Sequence, residues 1–228
     1  VYLLIPAAGV GKRMGSDRNK LLLEVRSQTI IAWTLLAAQA AQEITWIGII
    51  SQPTDWPDFQ SILANLQLTK PVELIIGGAT RQESVYNGLQ ALPEAAEQVL
   101  IHDGARCLAT PDLLNSCAQA IRHCSGLIAA VPVKDTIKVV DEDGIIQSTP
   151  DRRNLWAAQT PQGFNVELLK KCHAEGVSQG WEVTDDAALF EKCGIEVQIV
   201  EGEETNLKIT TPQDLAIAEF ILSSRFNS

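Results

Sequence analysis

VYLLIPAAGVGKRMGSDRNK, residues 1–20, decides how the rest of the chain is read. Its apolar start, too short for a helix, runs into a glycine-rich loop, and the loop leads to TIIAWTLLAAQAA (29–41), where apolar residues recur at helical spacing. Strand, glycine loop and helix in that order form the first unit of an α/β sheet. Glycine lets the backbone approach an anion closely and leaves its N–H groups free to point at it. The loop carries Gly9, Gly11 and Gly15, and Lys12, Arg13, Arg18 and Lys20 place four of the chain's 18 basic residues inside nine positions, opposed only by Asp17. Phosphate is the expected ligand class.

Two well-known phosphate loops fail at defining positions. A Walker A loop needs a hydroxyl after its Gly-Lys, but Gly11-Lys12 is followed by Arg13. A dinucleotide fingerprint needs G-x-G-x-x-G, but Met14 stands at the sixth place and Gly15 comes one residue late.

Outward from this loop, short apolar runs recur at 1–5, 45–51, 72–76, 98–101, 126–131 and 195–200. Helix-period stretches lie between most of them, at 29–41, 55–66, 80–92, 111–123, 165–176 and 184–193. Strand runs that are continuously apolar are buried on both faces, so the chain is expected to be a single α/β domain, Rossmann-like, with a mostly parallel sheet covered by helices on both sides. TIKVVDEDGIIQST (136–149) breaks the pattern: it alternates around a DEDG turn and predicts a β-hairpin. Isolated hairpins are marginal in water, so Ile137, Val139, Val140, Ile145 and Ile146 need a covering surface, either the domain itself or a second copy.

Composition narrows the function. At 46% hydrophobic and 20% charged residues, with no apolar run near the ~20 residues that span a bilayer, the chain reads as an ordinary globular protein with no membrane segment. A net charge of −10 argues against a nucleic-acid surface, which needs a basic stripe. Opening directly on a strand, it is expected to carry no secretory signal, and, beginning with Val1 rather than methionine, it is expected to lack a few native residues. Cys107, Cys117, Cys124, Cys172 and Cys193 form no C-x-x-C pair and are expected to be free thiols in a reducing cytoplasm. His123/Cys124 and Cys172/His173 are adjacent pairs that do not share a helix face, so no structural zinc is expected.

Ligands of open α/β sheets bind beyond the carboxyl ends of the strands. Besides the opening loop, that rule selects His102–Arg106, where Asp103 is placed to hold a hard cation against phosphate oxygens. It also selects Gly77 and Gly78 ahead of a helix that opens on Thr80 and Glu83 in a capping box, with backbone able to read the edge of a base. Near the end of the chain, Lys208 precedes a helix capped at Thr211 with Pro212 in its first turn.

Taken together, PAAGVGKRM with Lys20, GGATRQESV, HDGAR, PVKDTIK, DRRNLWAAQTPQGF, VTDDAALF and EGEETNLKITTPQDL resemble the 2-C-methyl-D-erythritol 4-phosphate cytidylyltransferases of the non-mevalonate isoprenoid pathway, in order and over nearly the whole chain. The glycine loop alone is shared with the wider nucleotidyltransferases; the last motifs are more specific. The resemblance implies attack of the substrate's 4-phosphate on the α-phosphorus of CTP with release of pyrophosphate. It implies Arg13 and Lys20 as transition-state stabilisers, and Pro6, Ala7, Ala8, Gly9, Gly11, Gly78, Arg81 and Ser84 around the nucleotide. Asp103 would hold Mg2+; Asp103, Gly104, Arg106, Thr136, Arg152, Thr160, Thr184 and Lys208 would meet the polyol phosphate. The hairpin becomes a dimerisation arm at about 134–158 that swaps across a homodimer, sending Thr136 and Arg152 to the neighbouring site. Two departures stand out. The usual HDAARP reads HDGARC, which is expected to loosen the backbone beside Asp103, and Arg153 beside Arg152 admits a one-residue shift of the arginine. The nearest rival is a ribitol 5-phosphate cytidylyltransferase of the same fold.

Overall fold

The computed structural model describes residues 1–9 and 19–226. The chain runs through β1 (Tyr2–Pro6), the short pair β2 (Glu24–Val25) and β3 (Gln28–Thr29), α1 (Ile30–Ala40), β4 (Trp46–Ser51), α2 (Trp56–Leu66), β5 (Val72–Ile76), α3 (Arg81–Ala91), β6 (Gln98–Ile101) and α4 (Pro111–Ala120). It continues through β7 (Gly126–Pro132), the hairpin strands β8 (Val139–Val140) and β9 (Ile146–Ser148), β10 (Trp156–Asn165), α5 (Val166–Ser178), α6 (Ala187–Lys192), β11 (Gln198–Glu201) and α7 (Pro212–Phe226). Seven strands form the main sheet in the order β11-β7-β10-β6-β1-β4-β5. The β4–β1–β6, β4–β5 and β7–β11 pairings are parallel, and β10 alone runs antiparallel to both neighbours.

Because strand side chains alternate between faces, the central strands feed two separate cores. Leu3, Ile5, Ile47, Ile49 and Leu100 pack with Leu35 of α1, Phe59 of α2, Leu114 of α4 and Leu222 of α7. Leu4, Ile50, Val99 and Ile101 pack on the other face with Val85 of α3, Leu169 of α5 and Phe190 of α6. Most of these side chains are fully buried, each contributing on the order of 1.5–3 kcal/mol. This is the two-sided layer architecture that the apolar runs predict.

One strand departs from the sequence reading. Residues 156–165 lie in the middle of the sheet, although Pro161 and Gly163 argue against a central strand. A register shift against β7 between Ala158 and Gln162 accommodates the proline, whose missing N–H would otherwise break the ladder. Gly163 is required by closeness: a Cβ there would sit 2.9 Å from Leu100 Cδ2 and 3.1 Å from Leu127. The expected helix at 184–193 is shorter, spanning Ala187–Lys192, because the residues ahead of it make other contacts. The hairpin forms a sheet of its own, with Val139, Val140, Ile145 and Ile146 about half exposed or more.

Candidate active site

At the carboxyl ends of β1, β4, β5 and β6 lies a cleft of about 570 Å3. Pro6, Ala7, Ala8 and Gly9 form one wall, Gly78, Arg81 and Ser84 another, and Asp103 and Gly104 the floor, with Lys20 and Lys208 on the remaining side. Eleven of the sequence-predicted residues are thereby brought together. Gly11 and Arg13 lie outside the described residues, as do Lys12 and Arg18.

Each wall is fixed by local chemistry. The Asn19 amide donates to the Ala7 carbonyl at 2.7 Å and to Asp55 at 2.8 Å while its oxygen accepts from Leu21 N–H at 3.1 Å, so the far end of the basic loop is tied to the end of β1. At the start of α3, Thr80 accepts from Glu83 N–H and the Glu83 carboxylate accepts from Ala79 N–H. The Ser84 hydroxyl accepts from Gly78 N–H at 3.0 Å and donates to the Thr80 carbonyl at 2.8 Å. A side chain at 78 would drive its Cβ to 2.3 Å from Glu83 Cγ, so glycine there is a condition of the cap.

Asp103 is the electrostatic centre. Lys208 Nζ lies 2.9 Å from its carboxylate and Arg106 Nε 3.6 Å. Burial pushes this carboxyl up, but Lys208, followed by Arg81 and Arg106, outweighs burial and holds it below the ordinary carboxylate range. It is therefore ionised at neutral pH. Lys20 Nζ donates to the Ile209 carbonyl at 2.8 Å, beside Lys208.

Behind Asp103 a buried chain of hydrogen bonds fixes its backbone. Asp103 N–H donates to Thr160 Oγ1 at 2.9 Å, Thr160 Oγ1 lies 3.0 Å from His102 Nδ1, and His102 Nε2 lies 3.3 Å from the Arg106 carbonyl. A carbonyl can only accept, so Nε2 carries the proton and Nδ1 accepts from the threonine hydroxyl. Burial holds the imidazole neutral, lowering its pKa from 6.5 to about 4.

The remaining predicted residues do not line the cleft. Thr160 is buried in the chain just described. Arg106 donates to the Asn206 carbonyl at 2.6 Å and to the Ala158 carbonyl at 3.5 Å, bracing the floor against two distant segments. Thr136, Arg152 and Thr184 are exposed elsewhere on the chain. Arg152 donates to the Lys134 carbonyl at 2.5 Å across the base of the hairpin, whereas Arg153 folds back on Asp151 at 2.9 and 3.0 Å. At Gly104 a Cβ would approach Leu21 Cδ1 to 2.8 Å, so an alanine there requires Leu21 to move. Sequence reasoning missed Asn19, Gln52 and Thr210, of which the last two line the cleft, and Asn206, whose amide donates to Gln159 and to the Thr160 carbonyl. Isolated amides and a lone hydroxyl carry no periodicity or spacing that would mark them.

Among the described residues there is no group of three or more His, Cys, Asp or Glu side chains that could hold a metal ion, and no helix long and apolar enough to cross a membrane.

Comparison with known proteins points in one direction. The family profile of 2-C-methyl-D-erythritol 4-phosphate cytidylyltransferase matches residues 1–224. Proteins of that name from Trichormus variabilis and Nostoc punctiforme are 92% and 86% identical, the first over 100% of both chains and the second over 99% of each. The crystal structure of 4-diphosphocytidyl-2C-methyl-D-erythritol synthase from Anaerococcus prevotii superposes with a TM-score of 0.87 at 32% identity, covering 97% of each chain.

Proposed function

The chain belongs to the 2-C-methyl-D-erythritol 4-phosphate cytidylyltransferase family, and on that premise we propose how its cleft and hairpin divide the work. The protein is a cytidylyltransferase of isoprenoid precursor biosynthesis. It transfers CMP from CTP to 2-C-methyl-D-erythritol 4-phosphate, giving 4-diphosphocytidyl-2-C-methyl-D-erythritol and pyrophosphate. In that step an oxygen of the acceptor phosphate forms a bond to the α-phosphorus as the bond to the β-phosphate oxygen breaks. Negative charge grows on the surrounding oxygens, and the protein's contribution is positioning and charge stabilisation.

The observation that carries the assignment of roles is the ionised Asp103, held by Lys208 on the cleft floor next to the backbone of Pro6 to Gly9. The walls at 6–9 and 78–84 take the nucleotide, with Gly78 backbone at the base, Ser84 supporting that backbone, and Arg81 on the same side. Lys20, with Arg13, stabilises the α-phosphate as it is attacked. Asp103 and Lys208 stand where acceptor phosphate and triphosphate meet. Gly104 keeps the floor low enough for both, and Arg106 braces it. Thr160 acts through the Asp103 backbone. The donor set suits Mg2+, which takes one or two carboxylates and completes its shell with substrate phosphates and water. When bound beside Asp103, that ion would neutralise phosphate charge.

A homodimer completes the acceptor side. Thr136 and Arg152 lie at the base of a hairpin with exposed apolar residues, and a second copy would both cover that surface and receive Thr136 and Arg152 beside its own Thr184. The free thiols, three of them buried, suit a cytoplasmic setting.

Pyrophosphate release with CTP and Mg2+, measured with each polyol phosphate and each of the four nucleoside triphosphates, tests the substrate pair. Turnover with CTP and 2-C-methyl-D-erythritol 4-phosphate is the expected result. Fast release only with ribitol 5-phosphate would overturn it.

A further inference from the structure

Arg81, on the nucleotide wall of the cleft, has its guanidinium 2.7 Å from a carboxylate oxygen of Asp186, whose side chain is only 1% exposed. The other oxygen of that carboxylate faces His173 Nε2 at 3.5 Å, and His173 is equally buried, with its ring 5.8 Å from that of Tyr86. Asp186 occupies the N-cap position of α6, where an aspartate ordinarily accepts from the first turn of its helix, yet it makes no such bond. Asp185 does that instead, accepting from Ala188 N–H at 3.1 Å, and its second oxygen accepts from the Gln162 amide at 2.8 Å. Gln162 lies on β10 two residues after Thr160. The segment just after Thr184 is thus tied on one side to the strand behind the acceptor site and on the other to the nucleotide wall.

A buried carboxylate is costly unless paired, and an unpaired one would leave a charge in a dry interior. Keeping Asp186 there is explained if its negative charge orients Arg81. We propose that Asp186 is a positioning residue that holds Arg81 toward the nucleotide and, being two residues from Thr184, couples nucleotide binding to acceptor binding. The proposal rests on the reading that Arg81 faces CTP and Thr184 the acceptor phosphate. Filling the nucleotide side draws on the Arg81–Asp186 pair, and the pair sets the segment that carries Thr184.

Steady-state kinetics with Asp186→Asn, Arg81→Lys and the double variant test it, alongside thermal unfolding midpoints as a check on folding. The expected result is a rise of about 5- to 20-fold in KM for both CTP and the acceptor in each single variant, with kcat changed less, and a double variant little worse than either. Arg81→Lys keeps the positive charge but not the planar fork, so it tests the coupling even if Asp186→Asn does not fold. An Arg81→Lys variant with raised KM for CTP alone overturns the coupling and leaves the nucleotide role of Arg81 intact. An Arg81→Lys variant with both constants unchanged overturns the nucleotide role and the proposal together. Normal constants in folded Asp186→Asn, with Arg81→Lys impaired, overturn the role of Asp186.

Discussion

The nucleotide wall and the hairpin are built on opposite terms. Around Gly78 and Asp103 the polar groups that shape the cleft are matched within one chain: Ser84 to Gly78, Asn19 to Ala7, Thr160 to Asp103, Lys208 to Asp103. At 136–149 the apolar residues lie open, with Ile145 62% and Ile146 58% exposed, and Arg152 reaches no further than the Lys134 carbonyl of its own chain. If the hairpin completes the acceptor side of a second copy, as proposed, the two substrates depend differently on assembly. CTP should bind to a single copy; the acceptor should need two.

The largest effect tests the finished half. Lys20→Ala or Arg13→Ala is expected to lower kcat roughly 100- to 1,000-fold, the scale for losing one preorganised charge-stabilising donor. Near-normal turnover in single-turnover assays would remove these residues from the chemistry.

Next comes the floor beneath Asp103. With His102 titrating at about 4 in the fold and 6.5 when unfolded, the unfolded chain alone binds that proton between those values. The contribution of His102 to stability is therefore full above pH 6.5 and falls as pH drops toward 4, by roughly 3 kcal/mol at about 1.4 kcal/mol per pH unit. Denaturant melts of the protein and of His102→Gln across that window should diverge, the variant being flatter. Parallel curves would mean the imidazole is not held neutral.

Deleting 138–147 tests the bare half. Sedimentation should show monomers, with KM for the acceptor raised roughly 10- to 100-fold, the scale of one or two lost charge-assisted hydrogen bonds, and CTP binding by calorimetry preserved. A variant that still sediments as a dimer would break the contrast outright. The smallest expected change sharpens it: Arg153→Ala, which removes only an exposed pair with Asp151, should leave both KM values within about twofold, in keeping with the small worth of surface ion pairs. Arg152→Ala should raise the acceptor KM; the reverse ranking would shift the role to Arg153.

The division between what could and could not be read from sequence follows the same physics. Strands β1, β4 and β6 announce themselves as apolar runs because both faces are buried, and α4 and α7 through a threonine cap and a proline in the first turn. Strand β10 does not, since Pro161 and Gly163 serve a bulge and a close approach that only the neighbouring strands define. In the site, the glycines and charges stand out by pattern, while Asn19, Asn206 and Asp186 acquire meaning only from partners 12, 47 and over a hundred residues away. The motif marks Thr160 as a candidate for the acceptor, but its place behind Asp103 rather than in the cleft is a fact of packing.

Strand β10 also bears on the order in which the chain can assemble as it is synthesised. Strands β5, β4, β1 and β6 can pair among themselves once residue 101 has emerged, but β7, made next, pairs only with β10 and β11 in the main sheet. Until residues 156–165 arrive, the open side of β6 is an unprotected sheet edge able to recruit strands from other nascent chains. A chain that stalls or is cut ahead of β10 therefore exposes the middle of its sheet rather than its margin. Quality control of this enzyme would turn on a strand made after two-thirds of the protein already exists.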